Sequence, residues 1–150
     1  VPAFTGLGAP YWIPEARGII SGLTRDTGQN EIVRAALQSV VYQSKDLLDA
    51  MKDDGLKPSL IKVDGGMTQN DWFNQFLADV SNLKVLKPKT QETTALGAAL
   101  VAALGAGIFK SLSQIAKKNR INKQFRPKMN KKIRLKLLNG WSQAIRKTIK

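Results

Sequence analysis

The chain has 150 residues, a formal net charge of +13, and neither cysteine nor histidine. That length suits one ordinary domain or part of a larger one, and the missing residue types exclude a disulfide framework, thiolate metal sites, a Ser-His triad and most zinc chemistry. No apolar run reaches the ~18 residues that would span a bilayer, and no signal peptide is visible, so a reduced, cytoplasmic chain is expected.

The opening, Val1-Pro2-Ala3-Phe4, has no initiating Met and reads as a cut. Residues 1–17 are irregular and rich in Gly, Pro and aromatics (FTGLGAPYWIPEARG). Gly18 to Thr24 reads as a short strand with a glycine inside it. Asp26-Thr27-Gly28-Gln29-Asn30 supplies turn and cap chemistry, with Asn30 or the Thr-Gly before it as the cap. Glu31 to Lys52 is an amphipathic helix with an apolar face of Ile32, Ala36, Leu37, Val40, Val41, Leu47, Leu48 and Met51. Asp53-Asp54-Gly55 ends it, and Pro58 prevents a restart. The acid pair is read as a solvated helix end rather than a metal site.

Leu60 to Val63 is a strand, and VDGG at 63–66 follows it directly. Two glycines there have a bland reading, a tight turn, and a sharper one, close approach of a phosphate or nucleoside. Asn70 to Val80 is a second helix, with Trp72, Phe73, Phe76, Leu77 and Val80 on its apolar side. Lys84 to Leu86 is a strand that Pro88 ends. Thr93 to Ile108 is almost wholly Ala, Leu, Val and Gly, so a buried or close-packed helix is expected, with Thr93 or Thr94 as its cap. Helix and strand alternate, which gives an α/β class.

The charge is concentrated at the end. Residues 1–110 hold 11 Lys+Arg and 11 Asp+Glu, whereas residues 111–150 hold 13 Lys+Arg and no acid. Ser111 to Lys118 reads as a short helix, Gln124 to Pro127 as extended, and Met129 to Ile149 as a last helix striped by Leu137, Leu138, Trp141, Ile145 and Ile149. A basic tail invites a nucleic-acid reading. The lysines fall mainly opposite the apolar stripe, however, as on a helix docked to its own domain. No nucleic-acid partner is expected.

Four motifs, in order, carry a resemblance. They are FTGLGAPYW with PEARG, the stretch GIISGLTRDTGQNEIVRAALQ at 18–38, VDGG at 63–66 with TTALGAAL at 93–100, and the Gly140-Trp141 pair in the last helix. The chain resembles the C-terminal part of the FGGY carbohydrate kinases, and FTGLGAPYW is most similar to the glycerol-phosphorylating branch. Within the match, Gly18, Gly22, Leu23, Glu31, Ile32, Ala35, Leu37 and Gln38 occupy expected places, while Ile13 and Glu15 depart from the pattern.

The resemblance implies a partial ribonuclease-H-like domain of the actin-like ATPase fold with a C-terminal helical tail. Residues 1–110 would be part of the nucleotide-binding C-terminal domain, and residues 111–150 a basic helical segment packed on it. It implies ATP-dependent phosphorylation of glycerol in a complete, homo-oligomeric enzyme, with ATP/ADP and glycerol as partners. The alternative is a pentulose or gluconate kinase of the same family. The catalytic Asp and the glycerol pocket would lie upstream, so no catalytic residue is assigned in this chain and the isolated chain is expected to be inactive. Carried over to this sequence, Gly66 lies against the nucleotide and Asn70 beside the adenine. Asp64 and Gly65 shape the turn, and Mg²⁺ is held by the nucleotide and by residues outside this chain. Tyr11 and Trp12 could form a sugar-stacking platform; with the pocket elsewhere, they take a core or packing role.

Overall fold

The computed structural model describes residues 1–90, 92–116 and 121–149. Three strands, β1 (Leu60–Lys62), β2 (Lys84–Pro88) and β3 (Ile121–Phe125), form a mixed sheet in the order β1-β2-β3. β1 and β2 run parallel, with Ile61 opposite Val85, and β3 returns antiparallel, with Phe125 opposite Val85. Five helices accompany the strands among the described residues: α1 (Gln29–Asp53), α2 (Asp71–Ser81), α3 (Thr93–Gly105), α4 (Leu112–Ala116) and α5 (Lys131–Thr148). The α/β class expected from alternation is what the fold shows.

Parallel strands need a crossover, and α2 supplies it between β1 and β2. Its apolar residues recur at three- and four-residue spacing, so Phe73, Phe76, Leu77 and Val80 fall on one buried face. They meet Val85 of β2, Phe125 of β3, Val41 and Tyr42 of α1, and Trp141 and Ile145 of α5 in one core. Each such burial contributes roughly 1.5–3 kcal/mol. Ala3, Leu7 and Ala16 bring the irregular N-terminal segment onto the same core. A small loop there is closed by paired Leu7 and Ile13 backbones, each N–H donating to the other's carbonyl at 2.9 Å.

Polar contacts join residues 126–134 to α2 and the residue that ends it. Asp79 Oδ1 accepts from the backbone N–H groups of Lys128 (2.6 Å) and Met129 (3.1 Å). Gln75 Nε2 donates to the Arg126 carbonyl at 2.8 Å, and Arg134 donates to Asn82 Oδ1 at 2.9 Å. Asn130 caps α5 by accepting from Lys132 N. Trp141 then stacks on Tyr42 with ring centroids 5.3 Å apart. Of the apolar stripe, Trp141 and Ile145 are buried, Leu137 and Leu138 pack against the core, and Ile149 is exposed.

Several expectations are corrected. Gly18 to Thr24 forms no strand: Gly22 sits at φ +81, and the backbone pairing of this stretch with the N-terminus is the Val1–Ile19 exchange at 2.8 and 3.0 Å. Of the two cap positions expected for α1, the Thr-Gly pair holds it: Gly28 is the cap, and Glu31 reaches back to accept from the Gly28 N–H at 2.9 Å, one half of a capping box. The apolar face of α1 is covered mainly in its middle, leaving Ile32 near its start and Leu47 and Met51 toward its end exposed. The cap position of α3 is Glu92, which offers its carbonyl to Leu96 N rather than a side chain.

The largest departure is α3 itself, which buries no residue and leaves Val101 62% exposed. Its half-covered residues, Thr93, Leu96, Leu100, Ala103 and Leu104, recur at three- and four-residue spacing on one side, and the rest of the helix is exposed. Trp12 is also 75% exposed, at φ +54, while its neighbour Tyr11 turns inward. The expected helix from Ser111 is present as Leu112–Ala116, and its end at Lys118 lies outside the described residues.

Candidate functional site

The turn after β1 is the candidate site. Val63 N extends the strand by donating to the Leu86 carbonyl at 3.1 Å. Gly65 then adopts φ +89, a region that a side chain strongly disfavours. A single 3-10 turn, Gly66–Gln69, carries the backbone to Asn70, which caps α2. Asn70 Oδ1 accepts from Trp72 N at 3.0 Å and Phe73 N at 3.3 Å. One oxygen thereby satisfies two of the donors that a helix start leaves open. The amide nitrogen of Asn70 is not used by the cap.

The two glycines have separate roles. Gly65 holds the left-handed conformation, whereas Gly66 does not, and a Cβ built on Gly66 meets nothing within 4 Å. Nothing in the described chain therefore demands glycine at 66. The backbone there is open to approach from outside.

Beside Asn70 lies an open groove of about 380 Å³ between the first turns of α1 and α2, lined by Gln29, Asn30, Val33, Arg34, Leu37, Asn70 and Trp72. Its wall is aromatic and cationic: Trp72 stacks on Phe76 at 5.3 Å, and the Arg34 guanidinium sits 6.0 Å from the Trp72 ring centre. Such a wall suits a flat π system. Asn70 lines the groove; Gly66 does not.

Sequence reasoning placed Trp72 on the core side of α2, but it is 40% exposed and faces the groove. Arg34 and Gln29 were missed. They lie 36 and 41 residues upstream of Asn70, and only the packing of α1 on α2 brings them alongside.

At the edge of the turn, Asp71 pairs with Lys87 and Lys123. The Lys123 hydrogen bond, ahead of the smaller Lys87 effect, holds the Asp71 carboxyl below the usual range. Lys87 Nζ also reaches the Gln69 carbonyl at 3.4 Å, joining the turn to β2. Among the described residues no three acids come together as a metal cage, and Asp53 and Asp54 are an exposed helix end. No helix among the described residues is long and apolar enough to cross a membrane.

Comparison with known proteins gives this geometry its context. The chain is 54% identical over 148 residues to a glycerol kinase of Rhodospirillum rubrum, covering 98% of this chain and 30% of that protein. It is 53% identical over 147 residues to glycerol kinase 1 of Pseudomonas aeruginosa, again covering 98% of this chain and 30% of the relative. The chain thus spans about 30% of the length of the curated relatives it matches. Among solved structures, the Plasmodium falciparum glycerol kinase with ADP superposes with a TM-score of 0.88 at 38% identity, covering all of this chain and 30% of that one. A ligand-bound xylulose kinase from Lactobacillus acidophilus superposes with a TM-score of 0.74 at 26% identity, covering 95% of this chain and 28% of that one. A family model for the C-terminal domain matches residues 1–106, and on that match the chain belongs to the FGGY family of carbohydrate kinases.

Proposed function

We propose that this chain supplies the nucleotide side of an ATP:glycerol phosphotransferase, with Gly66 against the nucleotide and Asn70 beside the adenine. One observation carries the choice of glycerol: identity is 51–54% to the bacterial glycerol kinases and 38% to the solved one along nearly the whole chain, whereas the solved xylulose and gluconate kinases match at 20–26%.

Two features of the turn support the placement of the nucleotide. Gly66 is free of any conformational need for glycine, so the absence of a side chain there is best used by a ligand that approaches closely. Asn70 keeps its amide nitrogen for a base while its oxygen caps the helix. The groove wall of Arg34 and Trp72 offers a face for a purine ring.

Phosphoryl transfer depends mainly on positioning and electrostatic stabilisation. In this reading the chain's own residues bind and orient the nucleoside end of ATP. When bound, Mg²⁺ would neutralise the phosphates, and it would be held by them and by residues outside this chain. The general base that takes the proton from a terminal glycerol hydroxyl also lies outside it. The complete enzyme is taken to be a cytoplasmic homo-oligomer.

Coupled ADP-release assays test the reading. The full-length enzyme should turn over glycerol in preference to xylulose and gluconate, and the isolated chain should turn over none of them. A preference for a pentulose would overturn the substrate, and glycerol-dependent turnover by the isolated chain would overturn the division of labour.

A further inference from the structure

Asn74 lies one helical turn beyond Asn70 and is fully buried. Its Nδ2 donates to the Thr68 carbonyl at 2.7 Å. Thr68 is itself 5% exposed, and its hydroxyl donates to the Gly65 carbonyl at 2.7 Å. The same carbonyl accepts from Thr68 N at 3.1 Å. A side chain from the core of α2 thus reaches the strained glycine through two short hydrogen bonds in series. A second tie, Asn70 N to the Met67 carbonyl at 3.2 Å, joins the turn to the start of the same helix.

The choice of Asn is costly for stability alone. Its Oδ1 is buried without a hydrogen-bond partner among the described residues, and a buried acceptor left unpaired opposes folding. The orientation is not ambiguous, because only the NH₂ end can donate to the Thr68 carbonyl. A leucine or methionine would remove that orphan but leave the Thr68 carbonyl unpaired instead, so packing alone does not favour Asn. What Asn uniquely provides there is a directed donor on the turn.

We propose that Asn74 and Thr68 are positioning residues of the nucleotide site, setting the Gly65–Gly66 backbone through the Asn74–Thr68–Gly65 relay. Neither touches the nucleotide. The proposal rests on the reading that Gly66 lies against it. Because the relay runs through a rigid core helix, it fixes the turn before the ligand arrives, so its loss is read in nucleotide affinity.

Thr68→Val, Thr68→Ser, Asn74→Leu and Gly66→Val in the full-length enzyme provide the test, with KM for MgATP, KM for glycerol and Tm measured for each. Asn74→Leu exchanges one unpaired buried acceptor, Asn74 Oδ1, for another, the Thr68 carbonyl, so its Tm should stay near the parent's. We expect Asn74→Leu and Thr68→Val to raise KM for MgATP about fivefold. The glycerol KM should not change, and Thr68→Ser, which keeps the hydroxyl, should behave as the parent.

If Gly66→Val weakens MgATP while both relay variants bind it normally, the relay is structural and this proposal falls alone. If Gly66→Val is silent, the nucleotide reading falls and takes the proposal with it. Should Thr68→Val fail to fold, Asn74→Leu decides; if neither folds, the relay is a folding element and the proposal is wrong.

Discussion

Asp46 joins three parts of the chain that are distant in sequence, and its removal is the sharpest perturbation of the C-terminal docking. Its Oδ2 accepts from Tyr11 OH at 2.9 Å and from Trp141 Nε1 at 2.7 Å. Trp141 also stacks on Tyr42 and is 7% exposed. Trp141→Ala removes a buried aromatic, which costs about 3–5 kcal/mol. Trp141→Phe keeps a ring on Tyr42 and removes the N–H donor, so it isolates the hydrogen bond to the carboxylate, about 1.5–3 kcal/mol. For a protein of this size each kcal/mol shifts Tm by roughly 2–4 °C. Thermal unfolding followed by near-UV circular dichroism should therefore rank parent, Trp141→Phe and Trp141→Ala in that order, and a cycle with Asp46→Asn should show coupling of about 0.5–3 kcal/mol. An additive cycle, or an alanine variant as stable as the parent, would refute the docking argument and leave α5 as an unattached arm.

The same carboxylate gives a pH dependence with a definite sign. Burial pushes the Asp46 carboxyl above its ordinary value, and the hydrogen bonds from Trp141 and then Tyr11 only partly oppose that. Burial, and then the Asp46 contact, also pushes the Tyr11 phenol up, so it stays a donor at neutral pH. Both donors use Oδ2, which leaves Oδ1 for a proton. With the folded pKa above the unfolded one, the folded state binds more protons in the window between them. Stability from this group is then present in acid and lost as pH rises through the raised value. The parent should gain on Asp46→Asn as pH falls from neutral toward the ordinary Asp range near 3.8. A gap that narrows on acidification would contradict the burial argument.

The remaining predictions concern the turn and α3. Gly66→Val should raise KM for ATP before it affects that for glycerol, and its Tm should match the parent, because the new Cβ meets no neighbour in the chain; normal ATP binding by this variant would leave the glycine pair as a turn only. Gly65→Val should instead lower Tm, since φ +89 strains any side chain. Asn70→Ala should relax discrimination between ATP and GTP and also cost about 1 kcal/mol of stability through the lost cap, so affinity must be compared at a temperature where both proteins are folded. Val101→Lys on the apolar face of α3 should destabilise the full-length enzyme by several °C; an unchanged melting curve would mean that α3 stays exposed there too.

How much was legible in the sequence varied with how local the cause was. The ends of α1 and the start of α2 follow from neighbouring residues: Asp53-Asp54-Gly55 stops one helix, and a polar Asn before an apolar run starts the other. β1, β2 and α2 were readable because a single side of each meets the core. Gly18 to Thr24 has the composition of a strand but pairs with no strand among the described residues, and its residues Ile20 and Leu23 remain exposed. Composition records what a segment can do, and pairing depends on what lies beside it. The groove beside Asn70 was invisible for the same reason. Arg34 and Trp72 belong to different helices, and each has an ordinary explanation on its own helix.

The turn shows most clearly where sequence reading must stop. A Gly-Gly pair poses one question in sequence, yet in the structure it becomes two. Gly65 is required by backbone conformation, and that requirement is met within the chain. Gly66 has no such requirement, so a need for glycine there must come from something outside the chain. α3 poses the same problem on a larger scale: its composition demands burial, and nothing described here satisfies the demand. Contiguous apolar surface of this kind is uncommon on a free-standing monomer. In the proposed reading a ligand meets Gly66, and among the described residues one side of α3 is left uncovered. The two demands are independent. Val101→Lys can fail in the full-length enzyme without touching ATP affinity, and Gly66→Val can abolish ATP binding without moving Tm. Finding the two effects inseparable would mean that the turn and α3 report a single folding defect rather than two unfilled contacts.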